Sequence, residues 1–402
     1  MSRGVTRRDV ISGLGVGVVG SLAGCREAAV PGREGSVSGD WPMFGYDAAN
    51  TGVSPDSPGP SSPNERWRIT VERSVAASPA VVGNTVYVGT LRGNAYALDR
   101  ETGERRWQAR ASFPLFGTPA VVDGTVSVTD GGGYLHALAE GSRPDGSGGT
   151  DGPVPPAGEF LWQVRGDAGF TASPTVADGT VYLGTFEGDI HAFDATDGTS
   201  RWTDVLGDNV DVAPAVADGT VYATVPRGVV YALDAASGER IWQTPLRVGL
   251  TSDPVVYDGS VYVGSTDTSR YGSETRLFAV DAETGEREWD APLDGSISGS
   301  PAAVDRTVLA GTWDGTLHAF DAVDGTERWR KGIGNAITGA PAIAGGSVYV
   351  TTFGGELHTI AVGDGAVQWT AQTGEDIPGS PAVAGDAVYV ATEGREVLAI
   401  GG

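Results

Sequence analysis

Four histidines are the side chains in this sequence best suited to ligate a metal ion or to transfer protons near neutral pH. They are His136, His191, His318 and His358, and each occupies the same position in a repeat of about 40 residues. Other copies of the repeat fill that position with Tyr96, Tyr231, Phe278 and Leu398. A position shared with aromatic and aliphatic residues predicts a packing role. Because the repeats of a ring are spread around its axis, we expect the four imidazoles to lie apart.

Carboxylates that precede short apolar runs are the second set of candidates, and they are Asp208, Asp211, Asp253, Glu375 and Asp376. If those runs line an axial channel, the carboxylates would gather there and could bind a cation. The competing interpretation, which we favour, is solvated surface charge in an acid-rich chain. The sequence shows no nucleophile with a base partner, no phosphate-binding loop and no zinc-ligand spacing. We therefore predict no catalytic, cofactor-binding or metal-binding residue.

Cys25 is the only cysteine, so the chain alone cannot form a disulfide or a cysteine-based metal site. It follows Leu22-Ala23-Gly24, and this stretch resembles the lipobox of bacterial and archaeal lipoproteins. The resemblance implies cleavage before Cys25 and attachment of lipid to its thiol. The alternative is an incidental cysteine beside an ordinary cleavage site.

The first 24 residues have the pattern of an export signal. Arg7 and Arg8 form a twin-arginine pair just before an apolar run that ends at Gly24. The run is shorter than the about 20 residues that a membrane-spanning helix needs, and small residues end it, as in a signal peptide. We predict a twin-arginine signal peptide with lipobox in residues 1–24 and a flexible tether in 25–40. The protein would then be lipid-anchored on the outer face of the cytoplasmic membrane.

Acidic side chains dominate the charge of the protein. The net charge is −24, and Lys331 is the single lysine among 27 basic residues. Such a surface repels nucleic acid and anionic lipid headgroups, so we predict no nucleic-acid partner and membrane contact through the lipid alone. Abundant carboxylates with almost no lysine resemble the proteins of salt-loving archaea, in which molar salt shortens the Debye length to about 3 Å.

Two residue types recur in phase and define the organisation of the chain. Prolines recur at Pro79, Pro119, Pro174, Pro214, Pro254, Pro301, Pro341 and Pro381. Tryptophans follow in step at Trp107, Trp162, Trp202, Trp242, Trp289, Trp329 and Trp369. Eight proline units with seven following tryptophans leave one unit a strand short, and the segment around Trp67 supplies that strand. Circular closure of this kind removes exposed sheet edges.

Turn chemistry divides each unit into four strands. Asp178-Gly179 separates two alternating apolar runs, which is a hairpin signal because both turn residues need positive φ. Two further glycine-containing turns lead to the third strand and to the fourth, which carries Trp202. Eight such units predict an all-β, eight-bladed β-propeller of four-stranded antiparallel blades over residues 41–402, closed by an N-terminal strand that carries Trp67.

The spacing Ala-x-Asp-x-x-x-Gly-x-x-x-Trp resembles the tryptophan-docking repeat of quinoprotein dehydrogenases and of BamB-like propeller lipoproteins. The units that match it in full end at Trp107, Trp202, Trp242, Trp289 and Trp329. The Asp can accept turn amide hydrogens, the Gly takes a left-handed conformation, and the Trp packs between neighbouring blades. We predict this docking role for Trp67 and for all seven tryptophans that follow it in step. The seventh unit departs from the pattern at Ala361 and the second at Ala139.

Three segments lie outside the regular repeat. The lead-in segment, Asp40–Gly52, resembles the opening of these propellers, and we expect it to pack across one face or to close an edge. The second unit spans 55 residues instead of 40, with the extra residues from about Gly141 to Gly158. The fifth spans 47, enlarged around Asp267–Glu274, which includes Arg270 and Tyr271. Both are candidate partner-binding loops, and a neutral insertion is the alternative for the first.

Two functional hypotheses follow from the resemblance. We favour a monomeric, membrane-tethered binding or scaffolding propeller whose face loops bind another protein or an envelope component. The alternative is a dehydrogenase dependent on pyrroloquinoline quinone. For such enzymes the resemblance implies a vicinal disulfide, a calcium site and an Asp general base, and one cysteine cannot supply the disulfide. A sugar- or ion-binding sensor is a third hypothesis. We expect neither quinone nor calcium as a cofactor.

Overall fold

The computed structural model describes residues 39–402 except 142–155, 167, 251, 267–274 and 298. These described residues contain β-strands and no helix, and therefore no helix that could cross a membrane. The predicted signal peptide and most of the predicted tether, with Arg7, Arg8 and Cys25, lie outside them. The greater part of the first predicted insertion and the whole of the second also lie outside them.

Eight antiparallel sheets form the blades of a β-propeller, which confirms the predicted fold. The first strand of the chain, β1 (Glu65–Thr70), belongs to the last blade. Blade 1 contains β2 (Ala80–Val82), β3 (Thr85–Gly89), β4 (Asn94–Asp99) and β5 (Arg105–Arg110). Blade 2 contains β6 (Ala120–Val122), β7 (Thr125–Thr129), β8 (Tyr134–Ala139) and β9 (Phe160–Arg165). Blade 3 contains β10 (Thr175–Ala177), β11 (Thr180–Gly184), β12 (Asp189–Asp194) and β13 (Ser200–Val205).

The next four blades repeat the same strand order. Blade 4 contains β14 (Ala215–Ala217), β15 (Thr220–Val225), β16 (Val229–Asp234) and β17 (Arg240–Pro245). Blade 5 contains β19 (Val255–Tyr257), β20 (Ser260–Thr266), β21 (Arg276–Asp281) and β22 (Arg287–Pro292), and the short β18 (Gly249–Leu250) also pairs with β20. Blade 6 contains β23 (Ala302–Val304), β24 (Thr307–Gly311), β25 (Thr316–Asp321) and β26 (Glu327–Gly332). Blade 7 contains β27 (Ala342–Ala344), β28 (Ser347–Thr351), β29 (Glu356–Ala361) and β30 (Val367–Gln372).

Blade 8 is assembled from two distant parts of the chain. Its inner strands are β31 (Ala382–Ala384), β32 (Ala387–Ala391) and β33 (Glu396–Gly401), and its outermost strand is β1. Trp67 of β1 stands opposite Ala399 of β33. Beyond the strands, the Gly401 amide donates to the Asn64 carbonyl at 2.7 Å. The third and fourth strands of this blade are therefore held together by non-covalent contacts, without a connecting turn.

The predicted hairpin turns are confirmed by their backbone angles. Asp178 has φ 47° and Gly179 has φ 69°, so both occupy the left-handed region. Because strands alternate in direction, turns between first and second strands and between third and fourth strands share one face, which we call the lower face. Turns between second and third strands, and the connections from blade to blade, share the opposite face, which we call the upper face.

The lead-in segment lies inside the ring and pairs with the inner edges of the blades. The middle residue of the innermost strand donates its N–H to a lead-in carbonyl in blades 1, 2, 4, 5, 6 and 7; these donors are Val81, Val121, Val216, Val256, Ala303 and Ile343. Innermost strands are edge strands, which leave one row of backbone groups unpaired. The lead-in satisfies these groups, so of the two predicted placements it closes edges and does not pack across a face.

Candidate functional site

Tryptophan side chains connect successive blades near the lower face. The indole Nε1 of Trp202 in blade 3 donates to the Ala235 carbonyl in blade 4 at 2.9 Å. The same bond joins Trp67 to Arg100, Trp107 to Glu140, Trp162 to Ala195, Trp242 to Ala282, Trp289 to Ala322 and Trp329 to Val362. Trp369 makes no such bond within the described residues, because no turn joins the third and fourth strands of blade 8.

A glycine, and in blades 3, 4 and 5 also a tyrosine, completes the docking contact. Gly238 has φ 75°, and a β-carbon there would lie 2.6 Å from the Trp202 ring, so only glycine fits without displacement. The carbonyl of Ala235 accepts a second hydrogen bond, at 3.1 Å, from the Tyr182 hydroxyl. Tyr222 and Tyr262 bond to the corresponding carbonyls of the following blades. Sequence reasoning missed these tyrosines, although a tyrosine recurs at the third position of the second strand.

The two irregular units keep the docking geometry. In blade 7 Ala361 replaces the Asp, yet Gly365 keeps φ 72° and lies against Trp329. In blade 2 the docking glycine is Gly158, with φ 78°, and a β-carbon there would lie 2.9 Å from the Trp107 ring. The first insertion therefore lies in the sequence between the third and fourth strands of blade 2. The positive φ of the glycine, more than the Asp side chain, therefore determines the contact with the tryptophan ring.

The residues that precede the repeating prolines form a hydrogen-bonded belt around the propeller axis. This hydroxyl belt consists of Ser78, Thr118, Ser173, Ala213, Asp253, Ser300, Ala340 and Ser380. The N–H of Ser78 donates to Thr118 Oγ1 (3.2 Å), that of Thr118 to Ser173 Oγ (2.9 Å), that of Ala340 to Ser380 Oγ (2.8 Å) and that of Ser380 to Ser78 Oγ (2.8 Å). Each bond joins one blade to the next. Ala213 and Ala340 have no side-chain oxygen, so this bond is absent at the two junctions where they would be the acceptors.

A cavity of about 160 Å³ opens at the centre of the upper face. This axial pit is lined by Phe44 of the lead-in segment, by Phe116 and by belt residues that include Asp253, the single ionisable side chain among its described lining residues. Asp253 accepts hydrogen bonds from the Ala213 N–H at 2.5 Å and from the Ser300 hydroxyl. Burial outweighs these bonds and raises the pKa of Asp253 to about 6.

The other carboxylate candidates do not line the axial pit. Asp211 lies close enough for its negative charge to raise the pKa of Asp253 further. Asp208 pairs with Arg227 at 3.1 Å, and Glu375 packs beside Gly394, in a turn of blade 8. Within the described part of the chain there is no group of three or more His, Cys, Asp or Glu side chains that could hold a metal ion. The gathering of these carboxylates, which was the less favoured of the two interpretations, is therefore not found among the described residues.

The four histidines occupy four different blades, and each is buried. His136 Nε2 lies 3.0 Å from Asp130, and His318 Nδ1 lies 2.9 Å from Glu327. The remaining two, His191 and His358, bond through Nδ1 to threonine hydroxyls of the neighbouring strand, at 2.9 and 3.0 Å. Each imidazole thus bonds within its own blade.

The residues of the axial pit do not fit pyrroloquinoline quinone. This cofactor is a polycarboxylate, and the described residues that line the pit include Asp253 but neither arginine nor lysine. Like charges in a desolvated site repel strongly. Phe44 also occupies the floor of the pit, because the lead-in segment runs inside the ring.

The upper face carries exposed large apolar side chains. Leu91, Phe113, Phe116, Phe186, Trp313 and Phe353, between 38% and 61% exposed, form what we call the upper-face apolar set. Four of them lie in turns between second and third strands, in blades 1, 3, 6 and 7. Trp313 and Phe353 approach each other across the junction of blades 6 and 7, with ring centroids 6.5 Å apart. Phe113 lies over Gly132, where a β-carbon would approach its ring to 2.1 Å.

Relatives share both the sequence repeat and the fold. A stretch of 198 residues is 30% identical to the serine/threonine-protein kinase AfsK of Streptomyces coelicolor, and covers 47% of this chain and 22% of the kinase. Another of 153 residues is 28% identical to the outer membrane protein assembly factor BamB of Yersinia pestis, and covers 35% of this chain and 36% of that protein. The matched stretches thus span well under half of these relatives' lengths.

Solved structures agree on the propeller. BamB from Moraxella catarrhalis superposes with a TM-score of 0.70 at 18% identity, over 85% of this chain and 100% of that one. Quinohemoprotein alcohol dehydrogenase from Comamonas testosteroni gives a TM-score of 0.68 at 16% identity, over 90% and 80%. At such identities the likeness concerns the fold alone. The family model described as outer membrane protein assembly factor BamB matches residues 59–143, 187–290 and 273–401, and the chain belongs to this family of PQQ-type propellers.

Proposed function

We propose that this protein is an extracytoplasmic, lipid-anchored scaffold that binds another protein or an envelope component through its upper face. The observation that carries the proposal is the upper-face apolar set. Isolated exposed apolar residues are ordinary, but several large ones at the turns of one face are typical of interaction sites. Tryptophan and other aromatic residues also contribute disproportionately to binding energy at protein interfaces.

The course of the chain supports an orientation for this scaffold. Asp40 Oδ1 accepts the N–H of Gly83 at 2.9 Å, and Gly39 lies against Gly385. Both partners belong to turns of the lower face. The described part of the chain therefore begins at the lower face, opposite the upper-face apolar set. An anchor near the start of the chain does not need to cover that set, so its side chains would be accessible to a partner.

Site-specific photo-cross-linking in the native cell envelope tests the binding face. A photoreactive phenylalanine at Trp313 or Phe353 is expected to give a discrete adduct. The matched control is Val323, which is 62% exposed in the same blade as Trp313 but on the lower face. Adducts from position 323 alone, or equally from all three positions, would contradict the proposal.

Intact mass of the protein extracted from membranes tests the anchor and the alternative activity together. We expect a lipid-modified chain that begins at Cys25, loss of the lipid in Cys25→Ala, and failure of export when Arg7 and Arg8 are both changed to lysine. Bound quinone with stoichiometric calcium in the same sample would overturn the scaffold in favour of a quinone-dependent dehydrogenase.

A further inference from the structure

Asp253 is an acidic group without a basic neighbour in the wall of the axial pit. Its described hydrogen-bond donors are the Ala213 N–H and the Ser300 hydroxyl, and both are neutral. No arginine, lysine or histidine is found among the described lining residues. Asp211 adds negative charge nearby. A carboxylate that is poorly solvated and lacks a counter-ion is costly to keep ionised, so a cation that enters the pit would gain both charge pairing and hydrogen bonds.

The shape and lining of the axial pit select among cations. A divalent metal ion would find one carboxylate, and the described residues contain no group of three His, Cys, Asp or Glu side chains that could hold it. Phe44 and Phe116 contribute aromatic surface, and Ala77 and Pro378 contribute small apolar surface. Guanidinium is planar and more weakly hydrated than ammonium, stacks on aromatic faces, and donates two parallel hydrogen bonds to a carboxylate. The lining therefore suits a guanidinium group best.

Phe116 connects the axial pit to the proposed binding face. Its ring lines the pit and is also 39% exposed as part of the upper-face apolar set. A protein segment lying on the apolar set would therefore pass directly over the pit opening, and one of its long side chains could reach Asp253.

We propose that the axial pit receives an arginine side chain of a protein partner, with the guanidinium paired to the carboxylate of Asp253 beneath the ring of Phe116. This inference rests on the proposed function, because it assigns a partner chemistry to the same face. The partner segment would combine an arginine with apolar residues that cover Phe116 and Phe113.

Calorimetric titration of the purified full chain tests the assignment with charged and neutral versions of one ligand. The probes are a capped Leu-Arg-Leu peptide, the same peptide with citrulline in place of arginine, and N-acetyl-arginine amide. Citrulline keeps the shape of the side chain without its charge, so its peptide should bind at least about tenfold more weakly, since charge-assisted hydrogen bonds contribute about 1.5–3 kcal/mol. Equal affinity for the two peptides would overturn the proposal, as would no binding of the arginine peptide.

Two matched variants locate the binding site. Asp253→Asn keeps a side-chain oxygen for the Ala213 N–H, so the variant should fold and should bind the arginine peptide at least about tenfold more weakly. Asp211→Asn removes a nearby charge outside the pit lining and should change the affinity less. A folded Asp253→Asn protein, verified by its Tm, that binds as well as the wild type would overturn the proposal. If N-acetyl-arginine amide binds as tightly as the peptide, the proposal that the arginine belongs to a protein partner is wrong.

The cross-links at position 313 separate this inference from the proposed function. Adducts that form equally in the wild type and in Asp253→Asn, without arginine binding in the titration, would reject the arginine site and leave the scaffold intact. Arginine-peptide binding at Asp253 without any adduct would reject the proposed partner and retain only a guanidinium site.

Discussion

Trp202 in blade 3 and Ala235 in blade 4, 33 residues apart, are joined by an indole-to-carbonyl hydrogen bond of 2.9 Å. The same separation recurs at five other docking tryptophans, and it is 40 at Trp242. Trp202→Phe would keep most of the packing and lose the donor. We expect a loss of about 1–2 kcal/mol in the free energy of unfolding. Trp369→Phe, at a position without this bond, should cost about 1 kcal/mol less, and equal losses in denaturant unfolding would contradict the assignment.

Gly238 and Gly219 separate the cost of positive φ from the cost of a steric clash. Both lie in blade 4 with φ 75°, but a β-carbon meets the Trp202 ring at 2.6 Å only at Gly238, and nothing within 4 Å at Gly219. Gly219→Ala should lose about 1–2 kcal/mol through backbone strain. Gly238→Ala should lower the free energy of unfolding by about 1–3 kcal/mol more than Gly219→Ala does, because the indole must move. Similar midpoints of chemical unfolding for the two variants would mean that the Trp202 ring moves aside at little energetic cost.

The hydroxyl belt predicts a loss of stability at a junction between blades. Ser380→Ala removes the acceptor for the buried N–H of Ala340. An unsatisfied buried donor costs about 1–3 kcal/mol, and we expect that loss in the free energy of unfolding. Ala213→Ser introduces a belt oxygen at a junction that lacks the bond, and should be neutral or stabilising by up to about 1 kcal/mol. Thermal and denaturant unfolding measure both, and a neutral Ser380→Ala would argue against the belt.

Asp253 predicts a specific dependence of stability on pH. Its pKa in the folded protein, about 6, exceeds its ordinary value of 3.8 because of burial. The folded state therefore holds the proton more tightly than the unfolded state, and the stabilisation from protonation is lost as pH rises through about 6. Asp253→Asn should raise the free energy of unfolding at pH 7.5 by on the order of 2–3 kcal/mol and have little effect near pH 4.

Asp194 provides a control of opposite sign for that pH dependence. Arg201 and the turn amides lower its pKa to about 2, so its stabilisation is present above its ordinary pKa and is lost as pH falls towards 2. Asp194→Asn should therefore reduce stability at neutral pH and leave strongly acidic stability unchanged. Unfolding curves across the pH range that show the same sign for both variants would contradict the assigned environments.

The blades could be predicted from sequence because their signals are local. Asp178-Gly179 and the strands beside it lie within a dozen residues, and the left-handed angles found there follow from residue type. The lead-in could not be predicted in the same way. Its partners, such as Val81 for Trp41 and Ile343 for Gly52, are spread through the chain, and nothing in its own pattern identifies the inside of a ring.

The position of a carboxylate relative to its repeat proline decides whether it lines the axial pit. Asp253 directly precedes Pro254 and lines the axial pit, whereas Asp208 and Glu375 lie six residues before their prolines and do not line it. The position immediately before proline determines which side chain joins the belt. The sequence analysis did not identify the upper-face apolar set, because Phe186, Trp313 and Phe353 lie between strands and outside the repeat motif. Their shared position after a threonine was the available signal.

The pairing of β1 with β33 places Glu65 opposite Ile400, almost the full length of the propeller apart in sequence. A ribosome makes the first of these strands long before the second. Until the final strand is complete, β1 has no sheet to join, and such long-range pairing is slow to form. A chain truncated before Glu396 would keep seven blades' worth of sequence and still lack a closed ring. Ring closure therefore requires that β33 has already been synthesised.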